Sequence, residues 1–142
     1  LLDDGRLVVE RQYRYPVGRV LLGHLPDAEL ARRYGDQPLT AVTDKTSTTL
    51  AALREQVAAD RLRGVAWSAG NFERGIGSCA AAVFDHTGRA VAAINVTGPE
   101  VQFTPGTPLA AQIEAAVKSA AAEVSGAMGY RPAPAQTGTL HA

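Results

Sequence analysis

Ser78, Asn95 and Thr97 are polar residues set in two otherwise apolar, strand-like runs, Ser78 to Phe84 and Ala90 to Thr97. Asp85-His86-Thr87-Gly88 between the runs has the chemistry of a hairpin turn. Side chains alternate across a strand, so Ser78, Ala80, Ala82 and Phe84 share one face. Val91, Ala93, Asn95 and Thr97 share a face of the second run. With a connection of even length, Ser78 lies opposite Thr97 and Ala80 opposite Asn95. Two hydroxyls and an amide then gather above small side chains, an arrangement that can orient a small ligand through hydrogen bonds. An odd connection would put Ser78 on the other face. The plainer alternative is that Asn95 and Thr97 are the solvent-facing positions of a half-exposed strand.

Other chemistry is poorly supported. Ser78 has no G-x-S-x-G elbow around it and no histidine close in sequence. A small enzyme using Ser78 or Cys79 as nucleophile and His86 as base needs hydrogen-bond contact. About seven residues of strand separate Ser78 from the turn, roughly 20 Å at the extended rise. Asp85-His86 therefore reads as turn residues. Cys79 alternates away from Ser78 among apolar neighbours, the setting of an inert core thiol. One cysteine excludes an internal disulfide, and His24, His86 and His141 have no metal-ligand spacing. Gly70, Gly75 and Gly77 form neither a dinucleotide fingerprint nor a phosphate loop. Trp67 and Tyr34 read as core aromatics, and Glu10-Arg11 and Arg61 to Arg63 as solvated charges. No metal and no cofactor is expected.

The elements that must position these residues follow from the pattern. Leu7 to Gln12 reads as a strand. Val17 to Leu25 reads as a helix opened by Pro16, and Pro26-Asp27 starts another through Tyr34, stopped by Gly35. Thr46 or Ser47 is the expected cap of a third helix running to about Leu62, with Leu50, Leu53 and Val57 as its stripe and Gly64 as its stop. Val65 to Ser68 is a strand and Gly70 to Gly77 a loop before the hairpin. Thr107-Pro108 opens the last helix, Leu109 to Met128, whose expected apolar face is Leu109, Ile113, Val117, Ala120, Val124 and Met128. Gly129 to Ala142 has the composition of a mobile tail. Runs of this kind make an α+β domain with an antiparallel sheet.

Composition limits the classes. The 142 residues carry 14 Lys and Arg against 14 Asp and Glu, a net charge of zero. A general nucleic-acid or membrane-surface binder needs a basic excess. At 46% hydrophobic the chain can bury a core. No apolar run approaches the ~20 residues of a membrane helix, and Leu1-Leu2-Asp3-Asp4-Gly5-Arg6 lacks a signal peptide's positive start. A soluble, cytoplasmic protein is expected.

Gly18 to Leu30 (GRVLLGHLPDAEL), Gly75 to Arg89 (GIGSCAAAVFDHTGR), Val91 to Pro99 (VAAINVTGP) and the closing Met128-Gly129-Tyr130 together resemble the effector-binding domain of IclR-family bacterial transcription regulators. Arg61 to Ala66 resembles that family's Arg-x-x-Gly-Tyr-Ala element. The resemblance covers about Gly18 to Tyr130. It implies a GAF-like or profilin-like antiparallel sheet flanked by helices. It also implies a non-enzymatic sensor for a small organic or aromatic acid, forming a dimer or tetramer and controlling a separate helix-turn-helix. Residues 1–130 would be that domain, 131–142 a flexible tail, with the helix-turn-helix outside this chain. The family's pocket cysteine falls on Ser78, its serine pair on Asn95 and Thr97, and its acidic residue on Ser68. Val17, Gly18, Val20 and Leu21 would form the opposing wall, Val17 and Gly18 also offering backbone N–H groups to an anion. Serine at 78 removes thiol chemistry there. Tyr13-Arg14-Tyr15-Pro16-Val17 replaces the family's His-Ala-Thr stretch, and fewer residues than usual separate Leu7 from this point. The rival expectation is a pocketless dimerisation module, its sheet face filled by large side chains over Ser78 and Thr97.

Overall fold

A computed structural model of the protein describes residues 12–35, 39–41, 43–71 and 73–134. The strand expected at Leu7 to Gln12 lies outside these residues except for Gln12, which opens a short 3-10 turn, Gln12–Arg14. Four helices follow among the described residues: α1 (Pro16–Leu22), α2 (Asp27–Tyr34), α3 (Leu50–Arg63) and α4 (Pro108–Ala127). Three strands, β1 (Ala66–Ala69), β2 (Ile76–Phe84) and β3 (Ala90–Pro99), form an antiparallel sheet in the order β1-β2-β3. This is the α+β architecture expected.

Local chemistry explains the boundaries. Pro16 occupies the first turn of α1, where its missing N–H costs nothing. Gly64 ends α3 in the left-handed region at φ 84°, which a side chain would resist. The cap of α3 is Thr49, whose hydroxyl accepts from Ala52 N at 3.1 Å. Thr46 and Ser47 are not caps: Thr46 is buried and donates to the Asn71 carbonyl, and Ser47 Oγ donates to Gln56 at 2.8 Å. Thr107 caps α4 as expected, accepting from Ala110 N at 3.2 Å.

The two sheet faces are covered differently. On one, α4 and Phe103 pack over Val65, Cys79, Ala81 and Val83, closing a core with Val117 and Ala121. Phe103 lies across the Gly77–Gly98 pair, and a Cβ on Gly77 would sit 2.4 Å from its ring. On the other face Val20 of α1 packs on Ala66 and Ala82. A third cluster joins Tyr13 and Leu22 to α2 and α3 through Leu30, Tyr34, Leu53 and Val57.

The buried face of α4 is rotated from the expected one. Ala110, Val117, Ala121 and Ser125 are buried, whereas Leu109, Val124 and Met128 are 44%, 42% and 44% exposed. Small residues let the helix axis approach an alanine-rich sheet closely, and the larger ones are left at its rim. Gly129 and Tyr130, expected in the mobile tail, are packed on the fold: Tyr130 N bonds to the Ser125 carbonyl at 2.9 Å and its ring stacks on Phe84 at 5.0 Å.

Candidate ligand-binding site

The register brings the polar residues together. Ser78 pairs with Thr97 and Ala80 with Asn95 across β2–β3, and Ser68 pairs with Ser78 across β1–β2. The route to this register differs from the expected even connection. Five residues, Asp85 to Arg89, separate the paired Phe84 and Ala90, and an irregularity between Val83 and Phe84 absorbs the odd residue. Ser125 Oγ of α4 accepts the Phe84 N–H at 3.0 Å there and donates to the Ala121 carbonyl at 2.7 Å. Asp85 serves the turn, its Oδ1 accepting from the Thr87 and Arg89 backbone at 2.8 and 3.2 Å.

Ser78, Asn95 and Thr97 form one hydrogen-bonded cluster. Asn95 Nδ2 donates to Thr97 Oγ1 at 3.0 Å and to Ser78 Oγ at 3.4 Å, and Thr97 Oγ1 donates to Ser78 Oγ at 3.2 Å. Ser78 is buried, while Asn95 and Thr97 are exposed. The cluster is thus a shelf, closed at β2 and open at β3. Ser68 is buried beside it, but its hydroxyl turns to Asn71. Gly18 and Val20 are buried and Val17 and Leu21 half-buried, on the helix that covers this face of the sheet. The first helical bond of α1 runs from Arg19 N to the Tyr15 carbonyl, so Val17 and Gly18 have no earlier carbonyl to donate to within the helix.

No Lys, Arg or His is among these eight positions. The closest cations by sequence and packing are committed elsewhere. Arg19 pairs with Asp60 at 3.1 Å and donates to the Trp67 carbonyl. Burial pushes its guanidinium down and lifts the Asp60 carboxyl, each against the pull of the other. Lys45 donates to the Ala69 carbonyl at 2.7 Å and to Glu100 at 2.9 Å, and this bond, with the Gly75 N–H, holds the Glu100 carboxyl below its usual range. Cys79 faces the α4 core, where burial and then Glu114 push its thiol up to about 12, so it is a poor nucleophile. His86 lies in the hairpin turn.

Sequence reasoning missed Asn71, which holds Ser68, and the Thr43–Lys45–Thr46 segment that packs on Asn71. A side chain capable of turn bonding three residues after Ser68 was the available signal.

Residues 11–126 match the family described as the bacterial transcriptional regulator IclR C-terminal domain. The chain belongs to this family. It is 33% identical over 132 residues to the glycerol operon regulatory protein of Streptomyces griseus, covering 89% of this chain and 51% of that protein. It is 35% identical over 104 residues to the HTH-type transcriptional regulator BhcR of Paracoccus denitrificans, covering 73% of this chain and 37% of that one. The chain therefore spans about half or less of the curated relatives it matches. The crystal structure of the Thermotoga maritima IclR superposes with a TM-score of 0.77 at 28% identity, over 84% of this chain and 47% of that one. The IclR C-terminal family is one of effector-binding regulator domains, not of enzymes. No helix among the described residues is long and apolar enough to cross a membrane.

Proposed function

We propose that residues 1–130 are the effector-sensing domain of a cytoplasmic transcription regulator and bind a small organic or aromatic acid on the Ser78 shelf. The observation that carries this is the hydrogen-bonded cluster of Ser78, Asn95 and Thr97 on the sheet face under α1. Ser78 accepts from both neighbours, so its own O–H proton is left to donate to a ligand oxygen. Asn95 and Thr97 present further polar atoms at the open side, and Val17, Val20 and Leu21 supply an apolar wall. The Val17 and Gly18 N–H groups add donors, although α1 has only seven residues. With no cation in the set, affinity falls in the micromolar range, roughly −8 kcal/mol. Bound effector would favour one of two arrangements of a dimer or tetramer and so reposition a helix-turn-helix carried elsewhere in the protein. The proposed sensor ends before residue 131.

The uncharged donor set also favours a second occupant, a neutral polyol, and one relative is named for a glycerol operon. Calorimetric titration with benzoate, pyruvate and glycerol separates the two. Binding that survives unchanged in an Asn95→Ala, Thr97→Ala double variant would sink the site.

A further inference from the structure

Ser68 and Ser78 are partners across the β1–β2 ladder, yet their hydroxyls belong to separate networks. Ser78 bonds to Asn95 and Thr97. Ser68 Oγ donates to Asn71 Oδ1 at 3.3 Å and accepts from Asn71 N at 3.2 Å. Asn71 lies outside any helix or strand but uses every polar group it has. Its Oδ1 also accepts from Ala69 N at 3.0 Å, and its Nδ2 donates to the Lys45 carbonyl at 3.1 Å. Its own carbonyl accepts from Thr43 Oγ1 at 3.1 Å and from Thr46 Oγ1. Thr43 and Thr46 are both buried, and Ser47 next to them bonds to Gln56 of α3 at 2.8 Å. One asparagine therefore joins Ser68, the ladder partner of Ser78, to the segment that leads into α3.

Building on the effector-site reading above, we propose that Asn71 is the positioning residue of that site. Its side chain sets where the Ser68 hydroxyl points, and its amide carries a change at Ser68 to Thr43–Ser47. The basis is one hydroxyl proton with two competing acceptors. In the structure that proton goes to Asn71 Oδ1. A ligand oxygen between Ser68 and Ser78 takes it instead, leaving Oδ1 with the Ala69 N–H alone. The exchanged bond is long and so the weakest of the set, and its release costs little. Freed from Ser68, the amide plane turns, and its Nδ2 bond to Lys45 turns with it.

The test uses amide resonances of the whole 15N-labelled chain, without ligand and then with benzoate, pyruvate and glycerol. Ser68→Ala is expected to shift the resonances of Thr43 to Ser47. In an Asn71→Asp background, which keeps acceptors for Ser68 and Ala69 but loses the donor to Lys45, that shift falls by about threefold or more. The Lys45–Ala69 contact and the Asn71 backbone bonds to Ser68, Thr43 and Thr46 do not use the side-chain amide, so this variant controls for those competing routes. A probe that moves Ser78 and Thr97 should also move Thr43 to Ser47 in the wild-type chain. In Asn71→Asp, read at saturating probe so that any weakening by the added charge is set aside, the loop response is lost. Equal loop shifts in both backgrounds, or none from Ser68→Ala, would overturn the assignment and leave Asn71 a turn lock only. If none of the three probes moves Ser78 or Thr97, the effector-site reading fails for these ligand classes. The Ser68–Asn71 coupling then stands or falls on the variants alone.

Discussion

The two faces of β2 come from one nine-residue strand, yet they are built in opposite ways. The Cys79–Ala81–Val83 face is sealed by α4 and Phe103. The Ser78–Ala80–Ala82 face meets α1 at its Ala82 end and carries the polar shelf at its Ser78 end. Alternation separates the two, so the strand can close a core with one set of side chains and leave the other set small and polar. The helices are held by different means as well. Contact between small residues docks α4, while α1 is tied by the buried Arg19, through its pair with the half-buried Asp60 and a bond to the Trp67 carbonyl. The sealed face stabilises the sheet that carries the polar shelf on its other face.

Truncation should expose this asymmetry most strongly at Phe103. It is fully buried between Gly77 and Gly98, and Phe103→Ala should cost about 3–5 kcal/mol in urea unfolding. Arg19→Ala breaks the tether of α1 and leaves the half-buried Asp60 without its partner, a smaller loss of about 2 kcal/mol. A loss as large as that of Phe103→Ala would make the faces equally dependent on their helices. The Asn95→Ala, Thr97→Ala pair should change stability by about 1 kcal/mol or less, because both residues are exposed, while abolishing effector binding. A large loss of stability there would mean that the shelf is structural. Cys79 should react with a thiol reagent at pH 8 far more slowly in the folded chain than in urea, since its thiol is pushed up to about 12. Fast labelling would show that the α4 face opens.

The smallest effect lies away from both faces and serves as their control. Hydrogen bonds from Arg32 and then Arg33 pull the Glu29 carboxyl down to about 2. A depressed carboxylate stabilises the folded chain above its unfolded value of 4.5, and the contribution is lost as pH falls through about 2. Carboxyl NMR should find Glu29 titrating near 2, and Arg32→Ala should raise that value. The group is partly exposed and its Arg32 partner is exposed, so salt should weaken the effect without moving the shelf resonances.

Much of the shelf is legible in the amino-acid sequence. Ser78, Asn95 and Thr97 meet because a period of two is imposed by the backbone itself, and the turn residues 85–88 mark where the strand reverses. The even connection expected for that register is wrong in detail. The actual loop is odd and an irregularity restores the pairing, a compromise invisible to counting. Thr49 rather than Thr46 caps α3 because Thr46 is drawn into contacts with Asn71, distant in sequence. The buried stripe of α4 departs from the expected one because hydrophobicity ranks leucine and valine above alanine, whereas close approach to an alanine-rich sheet favours the small side chains.

By itself the sequence determined the family and, among the described residues, the helices and strands and their order. These depend on local stereochemistry: alternation, capping, glycine stops and turn residues act over a few positions. Only the tertiary structure decided that Ser68 turns to Asn71, that Arg19 is spent on Asp60, and that the shelf is closed at Ser78 and open at Thr97. Those outcomes rest on hydrogen-bond competition and packing between segments far apart in the chain, and they depend on three-dimensional placement that no local pattern records.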